Sequence, residues 1–183
     1  MEKLFRKITT RRGKKYTYLG MDLDFTELGS VNVWMVDYLK ELIVDFPVEI
    51  EGSIVTPAGT NLFEINKENP VYLEEKKAKI LHTFVAKLLF VCKRPRPDTQ
   101  VTVSFLTTTV RKPDEDDWKK LTRLVKYIKS TVETKLTLSS NNTNIVKWWV
   151  DGSYTVHKDM KSHTGGLMTP GKDACMVRLF VRS

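Results

Sequence analysis

The change in hydrophobic spacing at residues 139–144 is the feature that most constrains how this chain can fold. Before it, apolar residues recur at three- and four-residue steps, the period of amphipathic helices. After it comes a short run rich in Val, Ile and Trp that is typical of a strand. The segment itself, Ser-Ser-Asn-Asn-Thr-Asn, is a cluster of turn-forming residues. We therefore predict a domain boundary here, with a mainly helical unit over residues 1–138 and a strand-rich unit over residues 145–183.

Helical spacing predicts four helices in the first unit, over residues 35–46, 74–93, 98–110 and 113–130. The pattern is strongest over residues 74–93, where one stripe contains Leu81, Val85, Leu88 and Cys92. Because this stripe is continuous, we expect its residues, Cys92 included, to lie in the core.

The third and fourth predicted helices begin at acidic residues. Asp98 is positioned to cap the third helix, whose inward residues are predicted to be Val101, Phe105 and Leu106. Residues 114–117 are all acidic, and a metal site is conceivable there. Carboxylates are favoured at a helix N-terminus by the helix dipole, so we interpret this cluster as the start of the fourth helix.

The remainder of the first unit is predicted from alternation and from its breaks. Residues 16–25 alternate and predict one half-buried strand, followed by a turn at Gly29 and a return strand over residues 31–34. Residues 47–73 contain three prolines and little periodicity, which predicts a long linking segment draped over the helices. A loop of this length is unusual in a compact domain, so the alternatives are a functional segment or one packed on a partner.

Composition favours a globular protein with a polyanionic partner. Hydrophobic residues make up 41% of the chain, enough for a core, and the net charge is +8. The two cysteines and three histidines show neither a disulfide framework nor metal-ligand spacing. Neither a signal peptide nor an apolar run of transmembrane length is apparent, so we expect an intracellular protein without a membrane partner.

A basic corner over residues 93–96 is a candidate phosphate contact. Prolines hold Arg94 and Arg96 in an extended presentation, and guanidinium groups match phosphate oxygens bidentately. Lys93 adds a third charge. The alternative is a solvated loop, or arginines that pair with Asp98 and with the acids at 114–117. The basic run over residues 3–15 has the same two interpretations.

Asp151 is the candidate metal ligand, because it ends the apolar strand that begins at Ile145. A sheet presents a metal ligand by placing one carboxylate at a strand end, and a Gly-Gly pair follows at Gly165 and Gly166. The alternative is an ordinary hairpin whose Asp-Gly pair makes the bend. Trp148 and Trp149 alternate faces, so we expect at least one in the core, and the other is a candidate for base stacking.

Four segments together resemble the reverse transcriptase polyprotein of copia-type LTR retrotransposons. They are YLGMDLDF from Tyr18, VAKLLFVCKRPRPD from Val85, PDEDDWKKLTRLVKYIKST from Pro113, and WWVDGSYTVHKDMKSHTGG from Trp148. Their order and spacing match the family from about residue 7 to residue 171.

The resemblance implies a role for each segment. Tyr18, Leu19, Gly20 and Met21 correspond to the hairpin that positions the primer terminus, and the helices over residues 35–130 correspond to the thumb and connecting region. Asp151 corresponds to the first metal-binding carboxylate of the ribonuclease H domain, with residues 161–166 on its return strand. The implied fold class is α+β: a thumb-like helical bundle with an N-terminal β-hairpin, followed by a truncated ribonuclease H-like β-sheet.

The chain also departs from the family where chemistry is concerned. The Tyr-x-Asp-Asp hairpin and the palm Asp of the polymerase are absent from it, and three further ribonuclease H carboxylates would lie beyond Ser183. Two Mg²⁺ ions need several anionic ligands, so we expect none to bind tightly here, although the parent enzyme uses Mg²⁺. Asp159 and Asp173 lie in turn-like contexts that explain them without a metal. The tail after residue 173 departs from the family pattern.

We therefore predict a fragment of an RNA-directed DNA polymerase that grips template–primer and is inactive alone. Its expected partners are an RNA/DNA hybrid or duplex nucleic acid and the rest of the Pol polyprotein. One alternative is a divergent metal-dependent nuclease completed by another chain. Another is a domesticated helical protein-interaction module that docks through the apolar stripe of residues 74–93. We also expect residues 145–183 to be poorly protected or prone to self-association, because their sheet lacks a covering helix.

Overall fold

The structure, a computed structural model, describes residues 12–65, 69–139, 144–153, 163–170 and 178–182. These residues form four α-helices and two antiparallel sheets, a mixed α and β architecture. The helices are α1 (Val36–Val44), α2 (Glu75–Cys92), α3 (Gln100–Thr109), which follows a 3-10 turn at Pro97–Thr99, and α4 (Glu115–Ser130). The strands are β1 (Lys15–Tyr18), β2 (Met21–Asp24), β3 (Ser30–Trp34), β4 (Leu136–Ser139), β5 (Val146–Ser153), β6 (His163–Pro170) and β7 (Arg178–Arg182).

The first sheet has the order β1-β2-β3-β4, with all four helices inserted between β3 and β4. Val33 pairs with Leu136, so the chain returns to the sheet after the last helix. Sequence analysis did not predict β4, because four residues are too few to show a clear alternation.

The prediction of one strand over residues 16–25 was wrong, because the chain reverses at Leu19 and Gly20. Tyr18 pairs with Met21 across this two-residue turn, and both turn residues have positive φ, 50° at Leu19 and 74° at Gly20. This is the combination that a type I′ hairpin turn requires. A two-residue turn does not interrupt the alternation of side chains between the two faces, so alternation alone does not reveal the turn.

The apolar stripe of α2 lies in the core, as predicted. Leu81, Val85, Leu88 and Cys92 are each at most 2% exposed. Burial raises the pKa of the Cys92 thiol to about 11, so it behaves as a core residue and not as a reactive thiol. The same burial means that this stripe is not a docking surface, so the interaction-module alternative loses the surface on which it was based.

The start of α3 differs from the prediction, whereas the start of α4 confirms it. Asp98 caps no helix, and Val101 is 39% exposed while Val103 takes the inward position. At α4, Asp114 accepts hydrogen bonds from the backbone of Asp116 and Asp117, and the Asp117 side chain accepts one from the Asp114 backbone. The acidic cluster therefore forms a capping box, which is a helix-start device.

The linking segment, residues 47–73, packs on the helices, as predicted. Just before the segment begins, the ring of Phe46 stacks on Trp118 at 5.6 Å between centroids and meets Phe84 edge-on at 5.0 Å. Ile50 and Leu62 are also buried against the helical core. A segment without regular structure is thus fixed by burying its own apolar side chains.

The second sheet has the order β5-β6-β7 and lies beside α3 through β7. Asp151 pairs with Gly165 and Gly152 with Thr164, and β5 continues to Ser153. The Asp-Gly pair therefore lies inside the strand, so the predictions that Asp151 ends the strand and that this pair makes a bend were both wrong. Trp148 and Trp149 are 60% and 51% exposed, so the expectation that one of them lies in the core was wrong. The described residues do not enclose β5 on either face. Asp159, Asp173, residues 3–11 and residues 161–162 lie outside the described residues.

Candidate nucleic-acid interface

The tip of the β1–β2 hairpin is an exposed apolar point on the first sheet. Tyr18 and Leu19 are 61% and 58% exposed. The hairpin below them is held by a Thr17–Asp22 hydrogen bond of 2.8 Å and a Lys15–Asp24 ion pair of 3.4 Å. Two further cations, Arg12 and Lys14, precede β1. The hairpin therefore combines exposed apolar side chains with cations, the composition that nucleic-acid contacts use.

The backbone at Leu19 is strained, and this adds to the argument that the tip is functional. A leucine at φ 50° occupies the left-handed region, which costs about 1–2 kcal/mol for a residue with a Cβ. Asparagine or glycine would adopt this conformation more readily. Strained residues are concentrated at binding and catalytic sites. Leu19 is also exposed, so packing in the core does not explain its presence.

The basic corner divides into two accessible cations and one buried arginine. Lys93 is exposed, and Arg94 is partly exposed with its guanidinium 3.6 Å from the Phe90 ring. Arg94 also donates a 2.8 Å hydrogen bond to the carbonyl of Phe90 in the last turn of α2. Since an arginine has five N–H donors, Arg94 retains donors for a phosphate.

Arg96 is 0% exposed, which contradicts its predicted role as a phosphate contact. Its guanidinium forms a bidentate pair with Asp98, with nitrogen–oxygen distances of 2.7 and 3.0 Å. It also donates to the carbonyl and the hydroxyl of Thr131, at the C-terminal end of α4. Arg96 is therefore a structural residue that connects the corner to α4. Its pairing with Asp98 agrees with that part of the alternative interpretation of the corner.

Asp98 is the anionic centre of this buried contact. Burial alone would raise the pKa of Asp98, but the hydrogen bonds and charge of Arg96, with a further hydrogen bond from Tyr127, outweigh it. The pKa of Asp98 is therefore held below its ordinary value. Burial and the same carboxylate raise the pKa of the Tyr127 phenol. Both groups keep one protonation state at neutral pH, which suits a structural contact.

Asp151 lies on an exposed part of β5. Among the residues that the structure describes, no three His, Cys, Asp or Glu side chains lie together as a metal ion would require. The described surroundings of Asp151 therefore do not by themselves fit a tightly held Mg²⁺ pair, which needs several anionic ligands.

The three predicted groups occupy separate parts of the chain. Tyr18, Leu19, Gly20 and Met21 lie on the first sheet, Lys93 and Arg94 at the end of α2, and Asp151 on the second sheet. No hydrogen bond or ion pair joins these groups within the described part of the chain. They therefore do not form one compact site, and an extended ligand is the kind that could contact more than one of them.

Sequence analysis overlooked the cations of α4, which lie beside the linking segment. Lys120 donates to the Glu64 carbonyl at 2.6 Å, Lys129 to the Ile50 carbonyl at 2.5 Å, and Arg123 to the Thr56 hydroxyl at 2.9 Å. The spacing of Lys119, Arg123 and Lys126 at steps of four and three residues places them on one side of the helix. That spacing is present in the sequence and could have indicated this row.

The chain is similar in sequence to a protein from yeast. The chain is 23% identical over 159 residues to a Saccharomyces cerevisiae protein named for the transposon Ty5-1. The match covers 86% of this chain and 50% of that protein, so the chain spans about half the length of the relative it matches. No family model matches the chain, and no solved structure matches it. The chain is thus similar, over most of its length, to a transposon protein.

None of the described helices is both long enough and apolar enough to cross a membrane.

Proposed function

We propose that this chain is a fragment of a retrotransposon RNA-directed DNA polymerase that grips a template–primer duplex. In this proposal the helical unit acts as the thumb and connecting region, and β5 and β6 begin a ribonuclease H domain. The fragment carries out neither polymerisation nor hydrolysis alone. Its activity is sequence-independent binding to an RNA/DNA hybrid or duplex nucleic acid.

The observation that carries this proposal is the similarity to the transposon protein, because it extends over 86% of the chain. The residues outside a match of that length are fewer than those of either unit, so the match includes part of both units and supports one origin for them. A fragment is also consistent with coverage of half of the relative.

Charge and the hairpin tip support nucleic acid as the ligand. The net charge of +8 attracts the phosphate backbone, which dominates sequence-independent affinity. The strained and exposed Leu19, beside Tyr18, supplies a contact for the sugar or base at the end of a strand. Lys93 and Arg94 supply phosphate contacts, whereas Arg96 has no part in binding.

The metal-dependent nuclease completed by another chain is a separate proposal, and Asp151 is its one candidate ligand. It predicts Mg²⁺-dependent cleavage of an RNA/DNA hybrid when a partner is present, and loss of that cleavage in Asp151→Asn. Cleavage that persists in the variant would exclude Asp151 from the chemistry.

Fluorescence anisotropy with a labelled RNA/DNA hybrid of about 20 base pairs tests the main proposal. We expect binding that is equal for two unrelated sequences, and that weakens as salt rises with a slope set by the number of phosphates contacted. The variant Arg94→Gln should bind more weakly and show a slope smaller by about one.

The matched control for Arg94→Gln is Lys76→Gln, which removes one exposed charge from the opposite end of α2. We expect this control to change affinity less than twofold. Absence of hybrid binding by the unaltered chain at low salt would overturn the proposed function.

A further inference from the structure

A cleft of about 230 Å³ lies between residues 57–62 of the linking segment and α4. Three cations line it, Lys119, Lys120 and Arg123, against one carboxylate, Asp116. The cleft is smaller than the roughly 300–1,000 Å³ that is usual for small-molecule sites, but it exceeds the roughly 30 Å³ share of one water several times over. Its size and charge therefore suit a single oxyanion group.

Arg123 has an unsatisfied donor in this cleft. Its Nε atom is buried and has no hydrogen-bond partner among the described residues. Gly59, which has no side chain, lies close to it; a Cβ placed there would lie 4.0 Å from Nε. A buried N–H without an acceptor is costly, so an acceptor that enters the cleft would be stabilised.

The other groups in the cleft leave charge available for an anion. Lys119 pairs with Asp116 at 2.9 Å, which neutralises one cation, and the charge of Lys120 is partly offset by Asp117. Arg123 donates to a neutral oxygen, the hydroxyl of Thr56 in the linking segment. No carboxylate pairs with Arg123 in the described part of the chain. The guanidinium thus retains its full charge beside an open volume.

We propose that this cleft binds a phosphate group, and that the phosphate belongs to the backbone of a nucleic-acid strand. That the phosphate belongs to a nucleic acid rests on the proposed function. That the cleft binds phosphate at all rests on the geometry and charge of the cleft. Lys126 lies three residues after Arg123 on the same side of α4, about 4.5 Å further along the axis. The row of cations continues outside the cleft and so extends the contact along the strand.

Two measurements on the full chain test this proposal. The first is a titration with inorganic phosphate, monitored by the side-chain Nε–H signals of arginine in an NMR spectrum. We expect the Arg123 signal to shift with phosphate and not with chloride at equal ionic strength. An unchanged Arg123 signal would overturn the proposed site.

The second measurement is hybrid binding by Arg123→Gln and by Arg123→Lys, with Lys76→Gln as the matched control. We expect a five- to tenfold loss of affinity and a salt slope smaller by about one for Arg123→Gln. Arg123→Lys keeps the charge and should lose only two- to threefold. Thermal unfolding midpoints equal to that of the unaltered chain would show that the linking segment stays in place.

The outcomes separate the two proposals. If the unaltered chain binds the hybrid and Arg123→Gln behaves like Lys76→Gln, the cleft does not contact the strand and the inference fails, while the proposed function stands. If phosphate shifts the Arg123 signal but the chain binds no hybrid, the proposed function fails and the polynucleotide source with it, while the phosphate site stands.

Discussion

Arg96 illustrates how one residue can exchange a predicted binding role for a structural one. Its charge is fully buried and is balanced by Asp98 and by the oxygens of Thr131. A buried ion pair contributes little net stability while intact, but loss of one partner leaves an uncompensated charge. The pair is therefore where a single substitution at this corner should have its largest effect.

We predict that Asp98→Asn lowers the free energy of unfolding by about 2–3 kcal/mol at pH 7. Breaking a buried pair usually costs about 3–5 kcal/mol. We expect a smaller loss here because the Asp98 side chain is 35% exposed. Urea denaturation measures the change. The double variant Arg96→Met with Asp98→Asn should recover part of the loss, since no buried charge remains.

The same pair predicts a pH dependence with a defined sign. The pKa of Asp98 is lower in the folded chain than in the unfolded chain, where it is about 3.9. Its contribution is therefore complete above that value and is lost as the pH falls through the lower folded pKa. We expect the stability difference between the unaltered chain and Asp98→Asn to shrink below about pH 4. A constant difference from pH 7 to pH 2 would contradict this.

Sequence alone could predict that Arg96 has a pairing partner, but not that it is buried. Asp98 is two residues away and is visible as a candidate partner. The contact that completes the burial comes from Thr131, which is 35 residues away. Long-range contacts of this kind leave no local pattern, so exposure and burial of the corner were equally compatible with the sequence.

At the scale of elements, the β1–β2 hairpin combines strain with exposure. Replacing Leu19 by Asn creates an Asn-Gly turn, the pair that a type I′ hairpin favours. We expect Leu19→Asn to raise the free energy of unfolding by about 0.5–1 kcal/mol, because the left-handed conformation is less costly for Asn. Thermal unfolding checks this change.

The same substitution should weaken hybrid binding a few-fold if the tip contacts nucleic acid. A gain in stability with a loss of binding is the usual relation at a strained functional site. Val55→Asn is a suitable control, because Val55 is 89% exposed and lies outside the hairpin. Equal binding by Leu19→Asn and the unaltered chain would remove the tip from the interface.

The capping box of α4 gives a prediction for a second element. Asp114→Ala removes two hydrogen bonds of 2.9 Å to the first turn. We expect a loss of about 1–2 kcal/mol in the free energy of unfolding, the usual effect of losing such a cap. Asp116→Ala is the control, since its side chain accepts a hydrogen bond from Lys119 at the surface, and it should change stability by less than about 0.5 kcal/mol.

The helices were predictable because their apolar period and acidic first turns are local signals. The stripe of α2 and the acidic start of α4 are both readable within one segment of sequence, whereas the predicted Asp98 cap was wrong because Asp98 pairs with Arg96 instead. The hairpin and β4 were not, because a two-residue turn preserves alternation and a four-residue strand is defined by its partner. The cation-lined cleft also depends on where the linking segment crosses α4.

At the scale of the whole molecule, the two sheets differ in how they are supported. The first sheet joins β1–β3, which precede the helices in the sequence, to β4, which follows them. It includes the buried residues Val33 and Leu136. On β5, by contrast, Val146, Trp148 and Val150 are more than half exposed. Stability in a protein is distributed according to such burial, so the two sheets should open at different free energies.

We predict that amides of β5 and β6 exchange at least about tenfold faster than those of α2 in native-state hydrogen exchange. The reason is that α2 buries a full apolar stripe, whereas the exposed apolar side chains of β5 gain little from staying in place. The exposed edge and apolar residues also favour self-association, so exchange in β5 should slow as concentration rises. Val150→Lys should remove that concentration dependence without changing the exchange of α2.

Equal exchange rates for β5 and α2 amides in dilute solution would contradict this prediction. The described contacts would then not account for the stability of β5, and the second sheet would belong to the same cooperative unit as the helices.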